Sequence, residues 1–141
     1  MIWKTYKRSK KKKKDGIDYK AKLDRVFSKF IRTRDSKDAG YFQCISCGEY
    51  KSLRQADCGH FYSRRFLSLR WDEKNCHTQC SHCNTFMEGN RQGFERGLIR
   101  KHGKEVLEYL ESKKNNKVKM DKFIYITLVK EYEKKLKDLC K

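Results

Sequence analysis

From Leu23 onward, apolar residues recur at Leu23, Val26, Phe27, Phe30 and Ile31, the spacing of one face of an amphipathic helix. Arg25, Lys29, Arg32 and Arg34 fall between them, so the outer face of that helix is cationic. Asp35 to Gly40 break the pattern, and Tyr41 to Asp57 read as a short strand, a Cys-x-x-Cys-Gly turn and a returning segment. Cys58 to Gln79 show no periodicity and are rich in Arg and aromatic residues. A stretch this long is expected to be an irregular loop, functional or pinned by a ligand. Helix returns after Cys83, with Phe94 and Leu98 on one face, and Gly103 separates it from a second helix around Val106, Leu107 and Leu110. Beyond a polar break at 113–119, Ile124, Leu128, Tyr132, Leu136 and Leu139 predict a final helix. Its start, Phe123 to Val129, is apolar and β-branched enough to admit a strand instead.

Composition changes this picture in one respect: 141 residues with 37% hydrophobic content and a mean hydropathy of −1.01 cannot build a large apolar core. Something besides side-chain burial is expected to hold the fold together. No apolar run approaches the roughly 20 residues of a membrane-spanning helix, and the first residues turn straight to lysine, so no secretory signal is expected.

Charge points to a partner. Lys and Arg number 36 against 18 acids, a net charge of +18. The first fourteen residues hold eight of the cations and no acid, and the remainder still carries +10. Such a surface attracts polyanions, above all nucleic acid. A membrane-surface role is disfavoured, because the basic stretch is not amphipathic.

Four of the seven cysteines fall in two pairs, Cys44-Ile-Ser-Cys47-Gly48 and Cys80-Ser-His-Cys83. In a chain expected in a reducing cytosol, that spacing favours metal thiolates over disulfides. Two such knuckles complete a closed tetrahedral site for a structural Zn²⁺, and Gly48 suits the tight turn. Binding energies of about 10–16 kcal/mol in small zinc domains would supply what the core cannot. Cys58 and Cys76, with His60, His77 and His82 nearby, offer a less regular second set.

Between the knuckles lie His60 and Asn75, and Asn84 follows Cys83 directly. This spacing resembles an HNH endonuclease of the His-Asn-Asn type, in which a histidine sits on the first strand, an asparagine in the loop and a third residue at the helix start. A longer string is similar to the NinG (Rap) recombination proteins of lambdoid phages, across about residues 20–112. It comprises Leu23-Asp24-x-x-Phe27-Ser28-x-x-Ile31-Arg32-x-Arg34-Asp35, Cys44-x-x-Cys47-Gly48, Gly59-His60-Phe61, Arg70-Trp71, Asn75-x-His77-x-Gln79-Cys80-x-x-Cys83-Asn84 and Gly89-Asn90.

The resemblance implies an α+β protein: a small ββα-metal module stapled by the four-cysteine zinc site and flanked by N- and C-terminal helices. It divides the chain into a basic disordered arm (1–19), the nuclease domain (20–112) and a C-terminal helical extension (113–141). It also implies a metal-dependent DNA endonuclease acting on branched recombination intermediates such as Holliday junctions and D-loops, in the host cytoplasm. His60 is expected as the general base and Asn75 as the residue holding the loop. Asn84 is the expected oxygen ligand of a catalytic Mg²⁺ or Mn²⁺. Arg64, Arg65, Arg70 and Arg91 are expected to contact DNA phosphates.

Gly59 stands where many HNH enzymes carry a second metal ligand. Asp57 could reach in instead, Glu88 is a further oxygen donor, and an inverted assignment has His60 as ligand and His77 as base. Phe61, Tyr62, Phe66 and Trp71 are expected to pack rather than stack on bases. Symmetric cutting of a four-way junction needs two sites, which admits a homodimer. A non-catalytic zinc module that binds nucleic acid is the alternative.

Overall fold

The computed structural model describes residues 16–141, so the lysine-rich arm as far as residue 15 lies outside the described residues. Helix α1 spans Tyr19–Arg34, capped by the Asp18 side chain accepting from the Ala21 N–H, an orphan donor of the first turn. Its predicted stripe is buried: Leu23, Phe27, Phe30 and Ile31 are all at most 5% exposed.

Strands β1 (Ser36–Lys37), β2 (Tyr41–Gln43) and β3 (Tyr50–Ser52) form an antiparallel meander, with Phe42 opposite Lys51. The break expected at Asp35 to Gly40 therefore includes a short edge strand. Strand β4 (Ala56–His60) pairs antiparallel with β5 (Cys76–Cys80), placing Gly59 opposite His77 and His60 opposite Cys76. The stretch expected to be irregular from Cys58 to Gln79 thus begins and ends in a hairpin, with the short helix α2 (Leu67–Arg70) between its strands. Every residue of β5 is buried, so no alternation of apolar and polar positions marks it as a strand.

After a single wide helical turn at His82–Phe86 come α3 (Arg91–His102), α4 (Glu105–Lys114) and α5 (Lys122–Leu139). The α3 helix lies so close to the first cysteine turn that a Cβ on Gly97 would sit 2.0 Å from the Ile45 carbonyl oxygen. The segment 123–129 is helical, part of α5.

Three small clusters share the work of a core. Leu23, Phe27, Phe30 and Ile31 of α1 meet Val129 and Tyr132 of α5 and Cys76 of β5. Phe61 and Leu69 pack with Phe94, Leu98, Val106 and Leu110, and Phe42 and Ala56 close over Cys44, Cys80 and Cys83. Phe61 and Trp71 pack as expected; Trp71 lies against the α1–α5 cluster. Among the described residues no helix is long and apolar enough to cross a membrane.

Polar pins supplement this limited apolar packing. Arg34 donates to the carbonyl oxygens of Glu73 and Cys76, each at 3.0 Å, while Asp35 accepts from the Thr78 N–H at 2.8 Å. The C-terminus of α1 is thereby fastened to β5.

Candidate functional site

The β2–β3 turn presents Cys44 and Cys47, while the end of β5 and the following turn present Cys80 and Cys83. All four sulfur atoms lie within 4.8 Å of one another. N–H groups aim at these sulfurs: Cys80 N–H donates to Cys44 Sγ at 3.3 Å, Cys83 N–H to Cys80 Sγ at 3.4 Å, and the Asn90 amide to Cys83 Sγ at 3.4 Å. Donors of this kind stabilise thiolates, and four convergent sulfurs fit a tetrahedral ion with no position left open. The spacing-based grouping of Cys44, Cys47, Cys80 and Cys83 is what the fold assembles.

Beside this cluster, β4 forms one wall of a cleft of about 510 Å³. Asp24 of α1, Asp57 and His60 of β4, Arg64 of the loop, and Asn84 and Glu88 beyond the second knuckle all line it. His60 Nε2 lies 2.9 Å from the Arg70 carbonyl oxygen. A carbonyl can only accept, so Nε2 carries the proton and Nδ1 is left as the basic nitrogen. Burial lowers the His60 pKa and the nearby Arg64 charge adds to this; the Arg70 and Cys58 carbonyls and Asp24 oppose without cancelling it. The net shift favours the neutral ring, the state a proton acceptor requires.

Asn84 Nδ2 donates to Asp57 Oδ2 at 3.1 Å, which leaves the amide oxygen as its ligating atom. Asp57, two positions before Gly59, therefore lies in the cleft beside Asn84, and position 59 has no room for a side chain. A Cβ there would sit 2.4 Å from Gln79 Oε1 and 2.9 Å from Gln79 Cβ. Asp57, Asn84 and Glu88 thus offer oxygen donors along the cleft, a set that suits a hard divalent cation.

Asn75 does not line the cleft. Fully buried, it accepts from the Tyr62 N–H at 2.9 Å and donates to the Tyr62 and Leu69 carbonyls at 3.0 Å each. It ties together the loop that bears Arg70, the residue whose carbonyl meets His60. His77 is also buried, facing away from this cleft, with its Nε2 2.9 Å from His102 Nε2. Burial, reinforced by the Arg34 charge, lowers its pKa to about 3. The inverted assignment, with His77 as base, has no support in this placement.

The four arginines do not converge. Arg64 lines the cleft. Arg65 sits 5.5 Å over the Phe66 ring. Arg70 is committed to Asp24, with Nη2 2.6 Å from Oδ2 and Nε 3.0 Å from Oδ1. Arg91 donates to the Phe61 carbonyl and stacks 4.3 Å over the Phe61 ring, on a separate surface.

Asp24 is the residue that sequence reasoning left without a role. It also accepts from Trp71 Nε1 at 2.9 Å. Burial raises its pKa, but the bonds and charge of Arg70 and the Trp71 bond outweigh this and hold it below the ordinary carboxylate value. Its signal was present: it is the one acid of α1, set between the buried Leu23 and Phe27.

Together these features define a small α+β protein organised around a four-cysteine cluster, with a polar cleft along its central hairpin. The family model described as "NinG: Bacteriophage Lambda NinG protein" matches residues 3–141, a wider span than the 20–112 over which the motifs carried the likeness. The chain belongs to the NinG family. Its relatives include the "Protein ninG" of Escherichia phage lambda, 36% identical over 111 residues, and that of Escherichia phage 933W, with the same figures. The "Protein ninG" of Salmonella phage P22 is 37% identical over 112 residues. Each match covers 78% of this chain and 52% of the relative, so the chain spans about half the length of the curated relatives it matches. No solved structure matches it significantly.

Proposed function

We propose that the chain is a metal-dependent DNA endonuclease of the HNH type that hydrolyses phosphodiester bonds in branched recombination intermediates. The observation that carries this reading is the lining of one cleft by His60, Asp57 and Asn84, with the His60 proton fixed on Nε2 by the Arg70 carbonyl.

His60 Nδ1 accepts the proton of the attacking water, and the Arg70 carbonyl holds the ring in the tautomer that makes this possible. Asp57 and Asn84, joined by their hydrogen bond, present oxygens to a divalent ion. When bound, Mg²⁺ or Mn²⁺ neutralises charge on the scissile phosphate and assists the departing oxygen. Arg64 meets an adjacent phosphate, and the net charge of +18 draws the polyanion in. Cys44, Cys47, Cys80 and Cys83 would hold a structural Zn²⁺ that ties the β2–β3 turn to the end of β5. Branched DNA as the substrate comes from the family resemblance.

The test is cleavage of four-way, flap and linear DNA with Mg²⁺ or Mn²⁺. Cutting that falls by about 10²–10⁴-fold in His60→Ala, as expected on loss of a general base, with DNA binding retained, supports the reading. Intact DNA under every ion, or equal cutting by His60→Ala, overturns it.

A further inference from the structure

Cys58 and His60 are two residues apart on β4 and so share one face of the strand. Cys76 stands directly opposite His60 on β5. The register therefore gathers three soft donors, two sulfurs and an imidazole nitrogen, and their ligand atoms lie within 4.8 Å of one another. Cys76 closes the bottom of this triangle and is fully buried, whereas Cys58 and His60 are half-buried and line the cleft. Three protein ligands below and an accessible fourth position above is an arrangement that zinc adopts readily. Sulfur and imidazole favour Zn²⁺, Cd²⁺ or Cu⁺ over Mg²⁺ and Mn²⁺, so this set differs in kind from the oxygens of Asp57 and Asn84 in the same cleft.

We propose that Cys58, His60 and Cys76 form a second, soft-metal site, and that Zn²⁺ bound there shuts down the cleft by occupying His60. The binding half of this proposal stands on the donor geometry alone; the inhibitory half rests on the reading of His60 as the base. The imidazole cannot ligate zinc and accept a proton from water with the same function intact, so hard-ion activity and soft-ion occupancy exclude each other. The four-cysteine cluster shares none of these ligands and stays loaded in both states.

The experiment titrates the full chain with Cd²⁺ and Zn²⁺, reading thiolate-to-cadmium absorbance and bound metal per chain, beside Cys58→Ala and Cys76→Ala. The wild type is expected to bind two equivalents, the second adding about half the absorbance of the first because two thiolates replace four. Cys58→Ala is expected to bind one. Circular dichroism checks that each variant is folded, and if Cys76→Ala is not, the half-exposed position 58 carries the comparison. A wild type that saturates at one equivalent overturns the site, and so does a second equivalent retained by Cys58→Ala.

The second arm measures the ratio of cleavage with and without micromolar Zn²⁺ over Mg²⁺. A drop of at least about tenfold in the wild type, relieved in Cys58→Ala, supports the switch, since tenfold corresponds to about 1.4 kcal/mol of preferential occupancy. Undiminished cutting with two equivalents bound overturns it. A wild type that cuts nothing under any ion defeats the nuclease reading, and the stoichiometry still decides the metal site.

Discussion

The Asp24 carboxylate holds the Arg70 guanidinium in a two-point ion pair, 2.6 Å and 3.0 Å, while the carbonyl of that same Arg70 holds His60. An acid on the first helix thus fixes the orientation of an imidazole on the hairpin through one intervening residue. The Arg70 side chain is thus paired within the fold, and its main-chain carbonyl is the part that meets His60.

Replacing Asp24 with Asn keeps the size and removes the charge. The change leaves the largely buried Arg70 guanidinium without its counter-ion, a loss of about 1.5–3 kcal/mol for a charged hydrogen-bonded partner. A lower urea midpoint at unchanged slope is the expected result. Cleavage is expected to fall beyond what the unfolded fraction explains, because the Arg70 carbonyl loses its anchor.

Gly59→Ala tests the close approach on the hairpin. Gln79 cannot simply withdraw, since its Nε2 donates to Ser46 Oγ at 2.8 Å and to the Gly89 carbonyl at 2.6 Å. Overpacking of this kind costs about 1–3 kcal/mol. Double substitution with Gln79→Ala is expected to recover part of the loss, a coupling that a double-mutant cycle reads directly.

Acid stability should depend on Asp35. Burial raises its pKa, yet the Arg34 bonds and charge, the Thr78 N–H and the Lys101 charge overcome this and lower it to about 2, against a reference value of 3.8. A carboxyl depressed in the folded state contributes stability that is complete above the unfolded pKa and is lost as pH falls through the folded one. The contribution is about 2 kcal/mol. Wild type and Asp35→Asn are therefore expected to differ most above pH 4, and to converge as pH falls toward 2 in parallel denaturation series.

Stripping the four-cysteine cluster should cost more than any single contact. With about 10–16 kcal/mol typical of structural zinc in small domains, a strong chelator or Cys83→Ser is expected to abolish the cooperative thermal transition. Far-ultraviolet circular dichroism checks this, and added Zn²⁺ should restore the chelated wild type but not the variant.

The helices were legible because their apolar stripes face apolar partners. Leu23, Phe27 and Ile31 meet Tyr132 of the predicted α5 stripe, with Val129 from outside that stripe joining them and Leu139 of it left exposed. The strand β5 was not legible, because its interior residues His77, Thr78 and Gln79 are buried polar groups. Thr78 N–H donates to Asp35, Gln79 Nε2 donates to Ser46 and His77 pairs with His102, and no hydropathy pattern encodes such bonds. In the candidate site, the cysteine ligands could be read from local spacing and Asp57 from its place two residues before Gly59 on one strand face. Asp24 could not be placed in the same way, since its partner Arg70 lies 46 positions away and only the folded chain brings them together.

Strand β5 has a further consequence. Cys80 at one end belongs to the four-sulfur staple and Cys76 at the other lies beneath the cleft, with three rigidly held residues between. An oxidant that attacks the staple therefore strikes one end of a five-residue strand whose other end carries Cys76, so damage to the staple falls on the same strand that floors the cleft.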